Sequence, residues 1–383
     1  MALRIMQVVE PGRDGVFRHV EGLVRHLMGR GVQVDLAYSS RRPSDRLFEL
    51  VAEITMRGGR TMDLQVANAP AVKDSVAWLK LIRFIRETKP SLIHTHSSKA
   101  GALGRVAAFA CRRPVVYTPN AYYGMADGGK PAEALFNGIE RILGGIGSTI
   151  CVSEDERLFA HDILRIAPER QQVIPNGVDT NAFTPANAAT RADWRRDHGI
   201  PADAFVVGTA GRFSRQKDPL TLYKAIVIAM RSDPRIFFLH LGDGELVDEA
   251  EAIMAGADIR QRYKRIAYLS NPQRFYQGID TFALTSRYEG LSFAVLEALA
   301  CDLPLILSDV PGNREFMRLG LSHCWFSAQG DTDGFAALIN RAAGLARADA
   351  TRNHRQLAVK LFDQQVCCGR VLEFYLNVLG KKA

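Results

Sequence analysis

The sequence predicts an α/β protein built from two Rossmann-like domains. A strand, glycine-containing loop, helix and strand follow one another at the start of the chain. Short apolar runs then alternate with helical patterns, and a second such series begins near Ala204. The length of 383 residues suits two domains.

Composition narrows the class. A hydrophobic content of 47% and a charged content of 23% fit a soluble globular protein. No apolar run approaches the ~20 residues that span a bilayer. The opening MALRIMQVVE lacks the apolar core of a signal peptide and reads as a first strand. The six cysteines, Cys111, Cys151, Cys301, Cys324, Cys367 and Cys368, form no CxxC pair and no zinc-type spacing with histidine. Reduced thiols in a cytoplasmic protein are the simplest account. The net charge of +8 is uneven, because residues 1–177 hold 24 Lys and Arg against 18 Asp and Glu. A basic first half could meet an anionic membrane or a lipid diphosphate, although ordinary surface variation explains it equally well. No basic tail, helix-turn-helix or aromatic-basic platform points to nucleic acid.

In the first half, Leu3 to Val9 is a strand, Pro11 to Gly15 a loop, Val16 to Gly29 a helix and Val32 to Ala37 the next strand. Val20, Leu23, Val24 and Leu27 recur at helical spacing. The loop contains Gly12 and Gly15 but no GxGxxG, so nothing here argues for a dinucleotide. Asp74 to Thr88 is an amphipathic helix with Trp78, Leu81, Ile82 and Ile85 on one face. A membrane-surface helix shares this pattern, but a helix packed on a sheet is commoner. The strand from Leu92 ends near His94 or Thr95, which puts His96 at the carboxyl edge where open α/β sheets bind ligands. His94 and His96 have no third metal ligand in sequence reach. Val115 to Thr118 is a further strand, and the polar, aromatic segment Tyr122 to Lys130 follows its edge. Another strand runs from Thr149, with Ser153 placed to cap the helix after it.

Val173-Ile174 and the turn Pro175-Asn176-Gly177 close the first half. The first domain is thus set at 1–177 and the second at 178–359. Ala204 to Ala210 opens the second sheet and runs into Gly211-Arg212-Phe213-Ser214-Arg215-Gln216-Lys217. Arg212 offers a planar fork and Lys217 a point charge, and together they suit a diphosphate. Two solvated loop cations are the ordinary alternative. Ile236 to Leu241 is a strand leading into Gly242-Asp243-Gly244, and Ile266 to Asn271 is the next strand and loop. Leu357 to Leu379 reads as one helix.

The stretch Thr285 to Ala300, TSRYEGLSFAVLEALA, organises the second half. The buried strand Thr281 to Leu284 precedes it, and a helix opens at about Ser292. A strand running through a glycine turn into a helix N-terminus leaves backbone N–H groups and a dipole that favour an anion. Glu289 and Glu297 flank that place and could accept hydrogen bonds from sugar hydroxyls. Isolated glutamates in such positions are more often a loop charge and a surface helix residue.

Glu289-x7-Glu297 within YEGLSFAVLEALA resembles the signature of retaining glycosyltransferases of family 4, group 1. HTHSSKAG around His96, the linker PNGVDTNAFTP and the GR…K segment at Arg212 and Lys217 are similar to further motifs of that family. The resemblance implies a GT-B architecture, two Rossmann-like domains facing a central cleft, with a C-terminal helix (360–383) crossing back to the first domain. It implies that Gly15, Arg212, Lys217, Gly242, Glu289, Gly290, Leu291, Ser292, Phe293, Ala294 and Glu297 meet the donor. Within that set Glu289 would hold the sugar and Glu297 the ribose, while residues 292–294 would present N–H groups to the phosphates. Gly12, His96 and Tyr122 would meet the acceptor. His96 would point at the reacting sugar, with His94 expected on the opposite side of the strand. His96, Glu289, Arg212 and Lys217 would carry the catalysis without a metal or other cofactor. The family often has adjacent glycines where this chain has only Gly12 and Gly15.

The expectation is therefore a retaining transferase that moves a sugar from a UDP- or GDP-sugar to a glycan or lipid-linked acceptor. The setting would be bacterial surface polysaccharide or lipopolysaccharide assembly, with the protein cytoplasmic or peripheral at the inner face of the membrane. A nucleotide-dependent Rossmann oxidoreductase is a second reading, weakened by the missing dinucleotide fingerprint. A non-catalytic membrane-associated partner subunit is a third, weakened by the presence of every expected charged residue.

Overall fold

The computed structural model describes residues 3–67, 71, 74–126, 131–256, 259–345 and 353–381. The chain divides into two compact units, Met1–Gly177 with Gln364–Ala383, and Val178–Asp363.

The first unit begins β1 (Arg4–Val9), α1 (Asp14–Gly29), β2 (Gln33–Tyr38), α2 (Asp45–Met56), β3 (Thr61–Asp63), α3 (Asp74–Thr88) and β4 (Leu92–His96). It continues α4 (Ser98–Ala110), β5 (Val115–Thr118), α5 (Pro131–Leu143), β6 (Ser148–Cys151), α6 (Glu154–Asp162) and β7 (Gln171–Val173). The seven strands form a sheet in the order β3-β2-β1-β4-β5-β6-β7, and every recorded pair is parallel.

The second unit holds α7 (Ala188–Asp197), β8 (Phe205–Ala210), α8 (Pro219–Ser232), β9 (Ile236–Leu241), α9 (Val247–Ala255), β10 (Tyr263–Ile266) and α10 (Gln273–Gly278). Then come β11 (Thr281–Leu284), α11 (Phe293–Ala300), β12 (Leu305–Ser308), α12 (Arg314–Arg318), β13 (Cys324–Ser327), α13 (Thr332–Ala343) and α14 (His354–Phe362). Its six parallel strands run β10-β9-β8-β11-β12-β13. The last helix, α15 (Gln364–Val378), belongs to the first unit, where Cys368, Val371 and Tyr375 join the apolar cluster of α1 and α2.

Helices cover both faces of the sheets, so the central strands are buried on both sides and mostly apolar, with polar exceptions such as Gln7, His94 and His96. In the first unit α1, α2 and α15 pack on one face and α3 and α4 on the other. Helix α3 buries Leu81, Ile82, Phe84 and Ile85, as a helix packed on a sheet does. Strand order reverses between β1 and β4 in the first unit and between β8 and β11 in the second. Successive loops diverge at such a switch point and leave a crevice at the carboxyl ends of the strands.

Several boundaries differ from the sequence reading, among them β4, which runs one residue further, to His96. Helix α1 opens at Asp14, two residues early, so Gly15 lies in its first turn rather than in the loop. The strand expected from Ile266 instead ends there, as β10 begins at Tyr263. The single helix expected over 357–379 is two, broken at Asp363, whose ψ of 135° is extended. Long-range bonds enforce that break: the Thr180 hydroxyl donates to the Asp363 carboxylate at 2.5 Å, and the Val178 N–H donates to the Phe362 carbonyl at 2.8 Å. Among the described residues no helix is long and apolar enough to cross a membrane.

Candidate active site

In the second unit the loops after β8 and β11 leave the switch point side by side and are stitched together. The Arg287 N–H donates to the Gln216 carbonyl at 2.8 Å, and the Gln216 amide donates to the Tyr288 carbonyl at 3.2 Å. The Thr285 hydroxyl donates to the Asp218 carbonyl at 2.8 Å. Asp218 sits in the left-handed region, φ 46°, and Pro219 then opens α8 at a position where a missing N–H costs nothing.

This stitching delivers Lys217 to Glu289. The Lys217 ammonium donates to Glu289 Oε1 at 2.6 Å, and the Ser286 hydroxyl donates to the same oxygen at 2.6 Å. Glu289 is 5% exposed. Among the described residues neither bond uses its Oε2. Arg212 is exposed at the head of the same loop. Arg212 and Lys217 line one small recess together with Thr209, Gly211, His240 and Thr285.

Two glycines let the β9 loop close on the β8 loop. A Cβ on Gly242 would lie 1.9 Å from the Gly211 carbonyl, and one on Gly244 2.6 Å from the Phe213 carbonyl. The Gly211 N–H donates to Leu241 and the Phe213 N–H to Asp243, each at 3.0 Å.

Helix α11 begins beside this pair. Ser292 is its N-cap, but the hydroxyl makes no capping bond and is buried without a hydrogen-bond partner among the described residues. The first turn of a helix has no intrahelical acceptor for its N–H groups. Gly290, Leu291 and Ser292 are buried, whereas Phe293 and Ala294 are partly exposed. Glu297 is 2% exposed, and the Tyr276 hydroxyl donates to its Oε2 at 2.6 Å.

In the first unit a buried polar cluster occupies the β1/β4 switch point. The expectation that His94 faces away from His96 is corrected: the two ring centroids are 3.9 Å apart. Residues two apart on a strand share a face, because the side-chain period is two. His19 of α1 joins them, its ring centroid 5.3 Å from that of His96. All three are held neutral. Burial lowers His19 to about 4, and burial together with the neighbouring imidazoles keeps His94 and His96 well below 6.5.

Gly12 is buried, with its N–H donating to the Arg42 carbonyl at 3.1 Å and its carbonyl accepting from the Ser44 hydroxyl at 2.6 Å. Gly15 is half-buried. Tyr122 is a core residue, its ring between those of Tyr117 and Phe159 at centroid distances of 6.2 and 5.7 Å. Of the polar, aromatic segment Tyr122 to Lys130, residues Asp127–Lys130 lie outside the described residues.

Sequence reasoning passed over His240, Ser286, His19, Gln7 and Tyr375. The available signal was a polar residue inside an apolar strand, as with Gln7 in RIMQVV and His240 in IFFLHL. His240 stacks on Phe213 with centroids 3.9 Å apart, its Nε2 is 3.2 Å from the Gly211 carbonyl, and burial lowers it to about 3. His19 and Tyr375 left no comparable trace.

Two parallel Rossmann-like sheets define an α/β protein, with a cation and carboxylate pair at the switch point of the second, where open α/β sheets bind ligands. Residues 13–182 match the family profile Glycosyltransferase Family 4, and residues 190–355 match Glycosyl transferases group 1. The chain belongs to these GT-B glycosyltransferases. Among curated relatives it is 29% identical to the Escherichia coli UDP-Gal:alpha-D-GlcNAc-diphosphoundecaprenol alpha-1,3-galactosyltransferase, over 64% of this chain and 65% of that enzyme. The chain thus spans just under two thirds of that relative's length. It is 26% identical to the D-inositol 3-phosphate glycosyltransferase of Geodermatophilus obscurus, over 85% of this chain and 76% of that one. The crystal structure of Anabaena HepE with UDP and glucose superposes with a TM-score of 0.81 at 19% identity, covering 98% of this chain and 100% of that one.

Proposed function

We propose that this glycosyltransferase moves a hexosyl group from a nucleotide-sugar to a glycan or lipid-linked acceptor, with retention at the anomeric carbon. The Lys217–Glu289 contact at the β8/β11 switch point carries the reading. It couples a cation suited to a leaving phosphate with a carboxylate suited to a sugar hydroxyl. Arg212, Lys217 and the first turn of α11 would neutralise the leaving diphosphate, and no metal ion is required for that. Glu289 Oε2 would accept from a hydroxyl of the transferred sugar. Glu297 would take the ribose once its bond to Tyr276 is shared or broken. The leaving phosphate would receive the acceptor's proton, so the reaction needs no separate base. In the first unit His96 is assigned to the acceptor.

The name of the galactosyltransferase relative, whose acceptor is a diphosphoundecaprenol, supports a lipid-linked acceptor and a setting in cell-envelope glycan assembly. The test is a thermal-shift and nucleotide-release panel of UDP-, GDP- and ADP-sugars, each run with and without EDTA. One family of donors should raise the melting temperature and turn over equally with chelator. A ligand at about 100 times its Kd adds roughly 2.7 kcal/mol of apparent stability. A flat panel would remove the donor reading, and loss of turnover in EDTA would remove metal independence.

A further inference from the structure

Strand β9 carries one polar residue, His240, between Leu239 and Leu241. An apolar side chain would fill that place readily, whereas a buried imidazole is disfavoured unless its nitrogens find partners. Both nitrogens do. Nε2 lies 3.2 Å from the Gly211 carbonyl and Nδ1 3.2 Å from the Tyr223 hydroxyl. The Tyr223 hydroxyl is 2.7 Å from that of Tyr263, which reaches Glu251 Oε1 at 2.9 Å. Groups from α8, β10 and α9 thus brace the ring through Nδ1. A carbonyl can only accept, so the neutral ring carries its proton on Nε2, donates to Gly211 and leaves Nδ1 to accept from Tyr223. Burial lowers His240 to about 3, which keeps it neutral near pH 7.

What the ring holds is the chain on each side of Arg212. Nε2–H is bonded to the carbonyl of Gly211, the residue before it. The face of the imidazole stacks on Phe213, the residue after it, with centroids 3.9 Å apart and 16° between the planes. Among the described residues no backbone N–H reaches the Gly211 carbonyl, so His240 supplies its donor. Arg212 itself is exposed, and a long exposed side chain is costly to order on a ligand unless its backbone is already fixed. His240, Gly211, Arg212 and Lys217 line one recess, and all of them belong to the second unit.

We propose that His240 is a positioning residue for the donor diphosphate: it fixes the Gly211–Phe213 segment, so that Arg212 meets the phosphates from a backbone already in place. The inference rests on the reading above that Arg212 neutralises the leaving diphosphate. It gives a part to a residue that otherwise interrupts an apolar strand. An aliphatic side chain at this position would leave the Gly211 carbonyl and the Tyr223 hydroxyl without their partner, and the segment that carries Arg212 could shift.

The test is a double-mutant cycle on the full chain, read as the Kd of whichever of UDP, GDP and ADP binds the parent protein most tightly. His240→Phe keeps an aromatic face against Phe213 but loses the bond to Gly211, and should weaken binding about 10-fold. In an Arg212→Ala background the same change should cost about 2-fold or less, because the residue it positions is gone. In a Lys217→Ala background it should keep its full cost. A merely structural role would weaken binding alike in all three backgrounds. Equal losses in all three, or no loss in the parent background, overturn the proposal. Tyr223→Phe removes one hydroxyl and unbraces the ring; it takes the place of His240→Phe in the same cycle, with the same deciding outcomes, if that variant fails to fold. Weakening by Arg212→Ala without weakening by His240→Phe removes the proposal alone. A parent that binds none of the three diphosphates, or an Arg212→Ala variant that binds as tightly as the parent, removes the donor reading of Arg212 and the proposal with it.

Discussion

Lys217 and Glu289 show why the charged residues of this site belong together. Glu289 is nearly buried, and a buried carboxylate without partners would be strongly disfavoured. The ammonium of Lys217 and the hydroxyl of Ser286 satisfy it before any ligand arrives. When a diphosphate binds, Lys217 can divide its three protons between the carboxylate and the phosphate. Each partner thus serves the other in both states. Lys217→Ala and Glu289→Ala are each expected to cut transfer by ~100-fold or more, the scale of removing an electrostatic stabiliser. Steady-state kinetics on the purified variants decides this, and near-normal turnover in either would contradict the assignment. The sequence coupled Arg212 with Lys217 and Glu289 with Glu297, and the family resemblance assigned both sets to one donor. The contact itself joins positions 72 apart, and only the folded loops show it.

At the scale of elements, the site depends on how closely three loops approach. The β9 turn lies against the β8 loop at Gly242, with no room for a side chain. Gly312, φ 83°, plays the same part beneath Glu289, where a Cβ would fall 2.4 Å from the Glu289 carbonyl. Gly242→Ala should push the β8 and β9 loops apart, destabilise the second unit by about 3 kcal/mol and weaken donor binding. Denaturant titration and a nucleotide-binding isotherm would measure both. An unchanged midpoint with unchanged binding would mean that the loops give way freely. Elements bounded by clear signals were legible in advance: α3 and β9 fall on their expected residues, and Ser153 caps α6 by accepting from the Glu156 N–H. The break at Asp363 was not, because helical periodicity continues across it and the bonds that stop the helix come from Val178 and Thr180.

For the whole molecule the buried histidines predict a direction of acid sensitivity. His19 titrates near 6.5 in an unfolded chain and at about 4 in the folded one, and His240 falls to about 3. Between those values the unfolded state binds more protons, so stability falls as the pH drops. The contribution is complete above about pH 6.5 and is lost as pH falls through the folded values. For His19 alone the interval from 6.5 to about 4 corresponds to about 3 kcal/mol. The midpoint of chemical denaturation should therefore decline from pH 7.5 to pH 4.5, and less steeply in His19→Gln. Parallel slopes for parent and variant would remove His19 as a cause.

Local signals, apolar runs and glycine turns, were enough to read the two α/β domains and their strand edges from the chain. Arg212, Lys217, Glu289 and Glu297 stood out as candidates, but their proposed roles came from the family resemblance. The tertiary structure alone decided which groups touch. It set Lys217 on Glu289, brought His19 and Tyr375 into the histidine cluster, and moved Tyr122 into the core. The physical reason is that parallel strands place chain segments far apart in sequence at one edge. Contacts across that edge depend on register and helix packing, which no local pattern encodes.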